Sequence, residues 1–119
     1  MIKVAAWPVM LLSLPYGVAD SQPRHDSYHR LDATQIRKTL VSHQFTDEVH
    51  WAERYRPDGT IEGASMGRTF VKNWRVQANE LCIRDTKGEI CYEVWRAGKT
   101  VEFRRSGGDD FPRAGIIRP

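Results

Sequence analysis

Apolar positions follow a helical spacing from Leu31 and change to strict alternation at Val49. Leu31-Asp32-Ala33-Thr34-Gln35-Ile36 reads as a helix start. Asp32 can accept the backbone N–H of Gln35, Gln35 can reach back as in a capping box, and Leu31 and Ile36 occupy the two positions of a hydrophobic staple. Ile36 and Leu40 share a face at spacing four, with Ala33 beside them. The spacing predicts a short helix over roughly 33–42, which needs a sheet to pack on.

Beyond it, Val49, Trp51 and Tyr55 alternate with His50, Ala52 and Arg54. Arg56-Pro57-Asp58-Gly59-Thr60 is a hairpin turn, with Pro57 presetting φ and Gly59 in the left-handed position. That loop pairs Tyr55 with Ile61 and Arg54 with Glu62, the latter a favourable cross-strand charge pair. Phe70, Trp74 and Val76 then face one way, a turn falls at 77–80, and Leu81 and Ile83 continue the apolar face. A four-residue loop at Asp85-Thr86-Lys87-Gly88 pairs Arg84 with Glu89, Ile83 with Ile90, Cys82 with Cys91 and Leu81 with Tyr92. Tyr92 and Val94 lead through a turn at Ala97-Gly98 to Val101 and Phe103, and after Arg105 the periodicity ends. The expected fold is α+β: one helix on an antiparallel meander of about six strands, residues 31–105, either an open sheet or a partly closed barrel. Closure would remove the free edges that a meander leaves. Residues 20–30 read as a linker and 106–119, rich in Gly, Pro and Asp, as a flexible tail.

The first nineteen residues change the expected compartment. Lys3 precedes a charge-free apolar run from Val4 to Val18, and Gly17 and Ala19 occupy the small-residue positions of a cleavage site, the order of a secretory signal peptide. The run is shorter than the roughly 20 residues a membrane span needs, and Pro8 and Pro15 interrupt it. Export to the periplasm or the medium makes a Cys82–Cys91 disulfide the natural reading of the only two cysteines. In the register above, that bridge crosses a hairpin on the face opposite Ile83 and Ile90.

Composition adds little chemistry. A net charge of +3, with arginines and glutamates interspersed, is a weak attraction for nucleic acid. No phosphate loop, dinucleotide fingerprint, zinc spacing or nucleophile elbow occurs. His25 and His29 lack a third ligand, and Asp109-Asp110 lacks the alternating carboxylates of a calcium loop, so neither a metal nor another cofactor is expected. The basic strand ends, with Arg96, Lys99, Arg104, Arg105, Arg113 and Arg118, read first as solvated faces and edge guards.

Tyr55-Arg56-Pro57-Asp58-Gly59-Thr60, then Trp74-Arg75-Val76, then Leu81-Cys82 resembles the rhythm of small exported bacterial lipocalin-like proteins of uncharacterised function. The resemblance covers about 31–103 and implies a calyx-like or half-barrel sheet. It departs at Lys72, where such proteins often carry Gly, and at Ser42-His43, where their helix tends to end with Gly. It carries over no catalytic residue.

Two charged residues interrupt the apolar face. Alternation puts Glu53 with Trp51 and Tyr55, and Lys72 with Phe70 and Trp74. A buried charge must be paired, neutralised or wet. Either a bulge near Gly63 or Gly67 turns one outward, or both lie at a wet barrel mouth, or the two meet across neighbouring strands as the polar handle of an aromatic pocket. The pocket reading makes Trp51, Glu53, Tyr55, Lys72, Trp74 and Phe103 the ligand-binding set of a non-catalytic module for a small apolar or amphipathic ligand. The alternative is an interaction module or inhibitor of an envelope enzyme, acting through Trp95, the disulfide hairpin and the tail.

Overall fold

The computed structural model describes residues 27–107 and 111–119; the expected signal peptide, 1–19, and the expected linker up to residue 26 lie outside the described residues. Helix α1, Ala33–Leu40, starts as its sequence predicts. Gln35 N donates to Asp32 Oδ1 and Asp32 N donates to Gln35 Oε1, both at 2.9 Å, completing the capping box. The described strands are β1 (His29–Arg30), β2 (Gln44–Thr46), β3 (Trp51–Tyr55), β4 (Thr60–Ser65), β5 (Arg68–Gln77), β6 (Glu80–Asp85), β7 (Gly88–Ala97), β8 (Thr100–Arg105) and β9 (Arg113–Arg118).

Strands β2 to β9 form a closed eight-stranded antiparallel barrel, in which β9 pairs with both β8 and β2. Two expectations are thereby corrected. The sheet has eight barrel strands rather than about six, and residues 113–118 of the expected tail are the strand that closes it. The linker likewise ends in β1, which pairs with Trp95 and Arg96 of β7. Strand β7 is long enough to serve three partners: residues 88–92 pair with β6, 92–97 with β8, and β1 takes the edge left beyond β6.

Both hairpin registers come out as the turns dictate, including Tyr55 opposite Ile61, Arg54 opposite Glu62 and Cys82 opposite Cys91. Within the first, Glu62 takes Arg56 as its ion partner, at 2.6 Å, while Arg54 stands across the ladder from it. The Cys82–Cys91 disulfide is formed, and Cys82 is buried on the outer face beside the Arg75–Glu89 pair.

The barrel has two unlike ends. Helix α1 packs over the end that carries the β3–β4, β5–β6 and β7–β8 turns. Ala33 N donates to Asn79 Oδ1 at 3.0 Å, Arg96 Nη1 donates to Thr39 Oγ1 at 3.1 Å, and Ser42 N donates to Tyr55 O at 2.9 Å. Ile36 and Leu40 thus join Tyr55, Ile61, Trp74, Leu81, Val94 and Val101 in one buried cluster. The opposite end carries the β2–β3, β4–β5, β6–β7 and β8–β9 connections, and no helix among the described residues lies over it.

Gly115 on β9 explains how the strand fits. A Cβ there would stand 2.7 Å from Phe45 Cε2, 2.8 Å from Trp51 Cη2 and 2.8 Å from the carbonyl oxygen of Thr46. The oxygen belongs to the paired backbone and cannot step aside, so Gly115→Ala should cost about 1–3 kcal/mol through overpacking and strand displacement, read as a lowered denaturation midpoint. Unchanged stability would mean that β9 does not pack against Phe45. Replacing Cys82 and Cys91 together by Ala should cost about 2.5–3 kcal/mol, the chain-entropy value for so short a loop, measured by the same unfolding titration.

Candidate functional site

Alternation along β3 sends Trp51, Glu53 and Tyr55 into the barrel, and along β5 it sends Phe70, Lys72 and Trp74 inward as well. No bulge turns either charged residue out. Glu53 is 1% exposed, and Lys72 is half-buried with its Nζ 4.7 Å from the centre of the Phe70 ring. The two do not sit on neighbouring strands, however: β4 lies between β3 and β5, with Gly63 opposite both Glu53 and Phe70. A Cβ on Gly63 would lie 2.3 Å from Phe70 Cζ, so the ring rests directly on that glycine, in the space between the two charges.

The close partner of Glu53 comes from the other side of the barrel seam. Arg113 of β9 places Nη1 2.6 Å from Glu53 Oε1. That oxygen has its ion pair, whereas Glu53 Oε2 is buried without a hydrogen-bond partner. Arg113 itself is flattened on Trp51, its Cζ 4.0 Å from the ring centre, with Phe45 at 5.8 Å. Arg113 belongs to the stretch 106–119 that the sequence presents as a tail. The inward register Arg113, Gly115, Ile117 was the signal available, together with the need of Glu53 for a cation.

The proposed aromatic set divides into two groups. Tyr55 and Trp74 meet edge-on at 5.9 Å in the helix-covered half, where Trp74 Nε1 donates to Arg56 O at 2.9 Å and holds the β3–β4 turn. Phe45 contacts Trp51 at 4.8 Å and Phe103 at 4.6 Å in the uncovered half, and Phe103 continues to Tyr92 at 5.9 Å. Phe45 is a member that the alternation missed, because it stands on a three-residue strand. The Tyr55 hydroxyl is buried and, like Glu53 Oε2, without a hydrogen-bond partner.

Desolvation raises the pKa of Glu53 above its ordinary value, against the opposing pull of Arg113 and Lys72. Burial likewise pushes the Tyr55 phenol well up, reinforced by the charge of Glu53, so its hydroxyl keeps its proton and is a donor. The arrangement offers N–H donors from Arg113 and Lys72, an O–H from Tyr55 and a carboxyl group able to accept or hold a proton. It lacks the nucleophile–base pairing that covalent catalysis needs.

On the outer face, Trp95 is engaged within the molecule. Its Nε1 donates to Glu93 Oε1 at 3.0 Å, and Arg104 lies 4.3 Å over its ring and 5.4 Å from that of Tyr28. The three-residue group Cys82, Glu89 and Cys91, close enough to suggest a metal site, has its sulfurs committed to the disulfide. Comparison of the chain with family models, with curated proteins and with solved structures finds no match.

The raised pKa of Glu53 fixes the sign of its effect on stability. A carboxyl that binds its proton more tightly when folded contributes stability that is present below its unfolded pKa and is lost as pH rises through the folded value. Asp58, lowered by its bonds to Thr60, and Glu89, lowered by Arg75, act in the opposite sense, losing stability as pH falls, and are common to both proteins. The melting temperature of Glu53→Gln relative to wild type should therefore rise as pH increases from about 4 upward. A difference independent of pH would show that Glu53 titrates as it does in the unfolded chain.

Proposed function

We propose that the chain is an exported, non-catalytic, lipocalin-like binding module that holds a small amphipathic ligand in the uncovered half of its barrel. The observation that carries this reading is the pairing of unpartnered polar atoms with aromatic walls. Glu53 Oε2 and the hydroxyl of Tyr55 are buried without a hydrogen bond, Glu53 Oε1 has only its ion pair with Arg113, and that guanidinium lies on Trp51 of the Phe45, Trp51 and Phe103 group. Each such group costs about 1–3 kcal/mol unless a molecule inside the barrel supplies the missing bond. A few convergent polar groups in an aromatic site are the usual means of orienting a small ligand. The disulfide supports an oxidising compartment and so export.

No helix among the described residues is long and apolar enough to cross a membrane. The outer face of the barrel carries Arg75, Arg84 and Glu89 in ion pairs, which lipid chains would not solvate.

The interaction-module reading draws on a different feature. Val49 and Met66, at 79% and 75% exposure, and the fully exposed Phe111 stand in three connections at the uncovered end. Trp95 does not help it, being covered by Arg104. Native mass spectrometry of protein purified from the envelope or medium of its own host separates the two. A small-molecule adduct that leaves on denaturation is the expected result. A bound polypeptide, or the bare chain mass alone, would favour the alternative.

A further inference from the structure

Three of the described arginines are partly buried: Arg96, Arg104 and Arg113. Arg104 faces Glu102 and Arg113 faces Glu53, each within ion-pair distance. Arg96 has no carboxylate within that distance among the described residues, although a cation taken out of water is costly unless it is paired. It is nonetheless fixed in place. Its Nε donates to the carbonyl oxygen of Gly98 at 2.7 Å and its Nη1 to Thr39 Oγ1 at 3.1 Å, and Thr39 is itself buried. Both acceptors are neutral. A guanidinium has five N–H donors; two are spent here, and the other three have no acceptor among the described residues.

Arg96 lines an open groove of about 450 Å³ between α1 and the β1–β7 ladder, at the helix-covered end of the barrel. His29 stands opposite Arg96 in that ladder, and Lys38 comes from the last turn of α1. Both line the groove, both are exposed, and neither makes an ion pair among the described residues. Gln35 lines it too, and its Oε1 already accepts from Asp32 N, so its amide N–H groups are what it has to offer. Among the described residues no carboxylate lines the groove. Asp32 spends its Oδ1 on the helix cap and faces the neighbouring concavity beside Asn79. Glu93 of β7 is turned to the outer face, where it meets Arg30 and the Trp95 indole. Lys99, next to Gly98 in the β7–β8 turn, adds further positive charge at the same end.

We infer that this groove is a second binding site, separate from the barrel interior, for a phosphate monoester group held by Arg96, Lys38 and His29. The class follows from donors and charge. A carboxylate brings one charge and two oxygens, which a bidentate guanidinium alone would satisfy. A phosphate monoester brings about −1.5 to −2 charges and three strong acceptor oxygens, enough to engage donor side chains from three separate elements. Arg96 is the anchor, because its plane is already set by Gly98 and Thr39 before any anion arrives. Lys38 supplies the second charge from the helix, and His29 and Gln35 supply N–H groups at the margin. The open mouth admits the group on a small free ester or on a lipid headgroup. Binding makes and breaks no covalent bond.

The test has two arms, both at neutral pH and one ionic strength. In the first, phenyl phosphate and benzoate are titrated into the protein and followed by amide chemical shifts. Phenyl phosphate should bind at least about tenfold more tightly than benzoate and move the amides of Thr39, Arg96 and Gly98. Lys38→Met should weaken it at least about fivefold, and Arg96→Met at least as much. Lys38 is exposed, so its variant reads binding even if loss of the Arg96 hydrogen bonds disturbs the fold. Lys87→Met, which removes the same charge from the β6–β7 turn at the opposite end, should leave binding unchanged. The second arm is flotation with phosphatidylcholine vesicles, with and without phosphatidic acid. Adherence to phosphatidic acid that phenyl phosphate displaces and Lys38→Met abolishes assigns the group to a lipid. Binding of the free ester without adherence assigns it to a soluble one. Equal affinity for phenyl phosphate and benzoate, equal loss in Lys38→Met and Lys87→Met, or binding of neither form would overturn the inference. None of these results bears on the ligand proposed for the uncovered half.

Discussion

Closing this sheet and neutralising its buried carboxylate are one structural event. Strand β9 enters between β8 and β2, pairing Phe103 with Arg113 and Phe45 with Ile117, and so delivers the guanidinium to Glu53. Before β9 docks, β2 and β8 are open edges and Glu53 lacks its nearest cation. After it docks, the edges are gone and the charge has a counterion. Loss of one partner from a buried pair is far costlier than the pair is worth. Closure therefore carries an electrostatic term in addition to its backbone hydrogen bonds, and the last strand in sequence is coupled to a residue sixty positions earlier.

That coupling gives the two halves of the barrel different characters. Under the helix, Ile36, Leu40, Ile61, Leu81 and Val101 fill the interior without a charged side chain among them, and the one indole donor, that of Trp74, is satisfied by a backbone carbonyl. Toward the uncovered end, aromatic rings lie on the glycines at 63 and 115, and charged groups reach between them. Glycine at those two wall positions lets Phe70, Phe45 and Trp51 approach the backbone. The rings in turn carry the cations: Lys72 lies on Phe70, and Arg113 on Trp51. A guanidinium held against an indole gains cation–π attraction while it faces the carboxylate, which tethers it at the ion pair.

How much of this was legible in the sequence depends on how local each decision is. The β3–β4 and β6–β7 registers were legible because a few turn residues fix them, with Gly59 and Gly88 supplying the positive φ that the turns require. The helix start was legible because its cap closes within four residues. Strand β2 was not, since three residues are too few to display a period. Strand β9 was hidden by its own composition: Ile116 faces outward beside Ile117, Gly115 interrupts the apolar face, and the flanking Gly, Pro and Asp read as a tail. The inward direction of Glu53 and Lys72 was legible from alternation. Their relation was not, because it depends on the intervening β4 and on Arg113, which a non-local pairing supplies.

What sequence alone could have demanded is a cation for Glu53, since alternation had already buried it. Burial that raises the carboxyl's pKa despite Arg113 and Lys72 means that desolvation outweighs both attractions. An apolar residue of similar volume at position 53 would escape that penalty, as replacements of buried ion pairs often do. The chain instead keeps a carboxyl where it weakens the fold as pH rises, and orients its strongest donors at the same point. A group that is costly to the fold and central to the polar cluster is where a binding role and a stability role part company. In this barrel that group is Glu53, and the side chain that meets its charge, Arg113, stands on the strand that closes the structure.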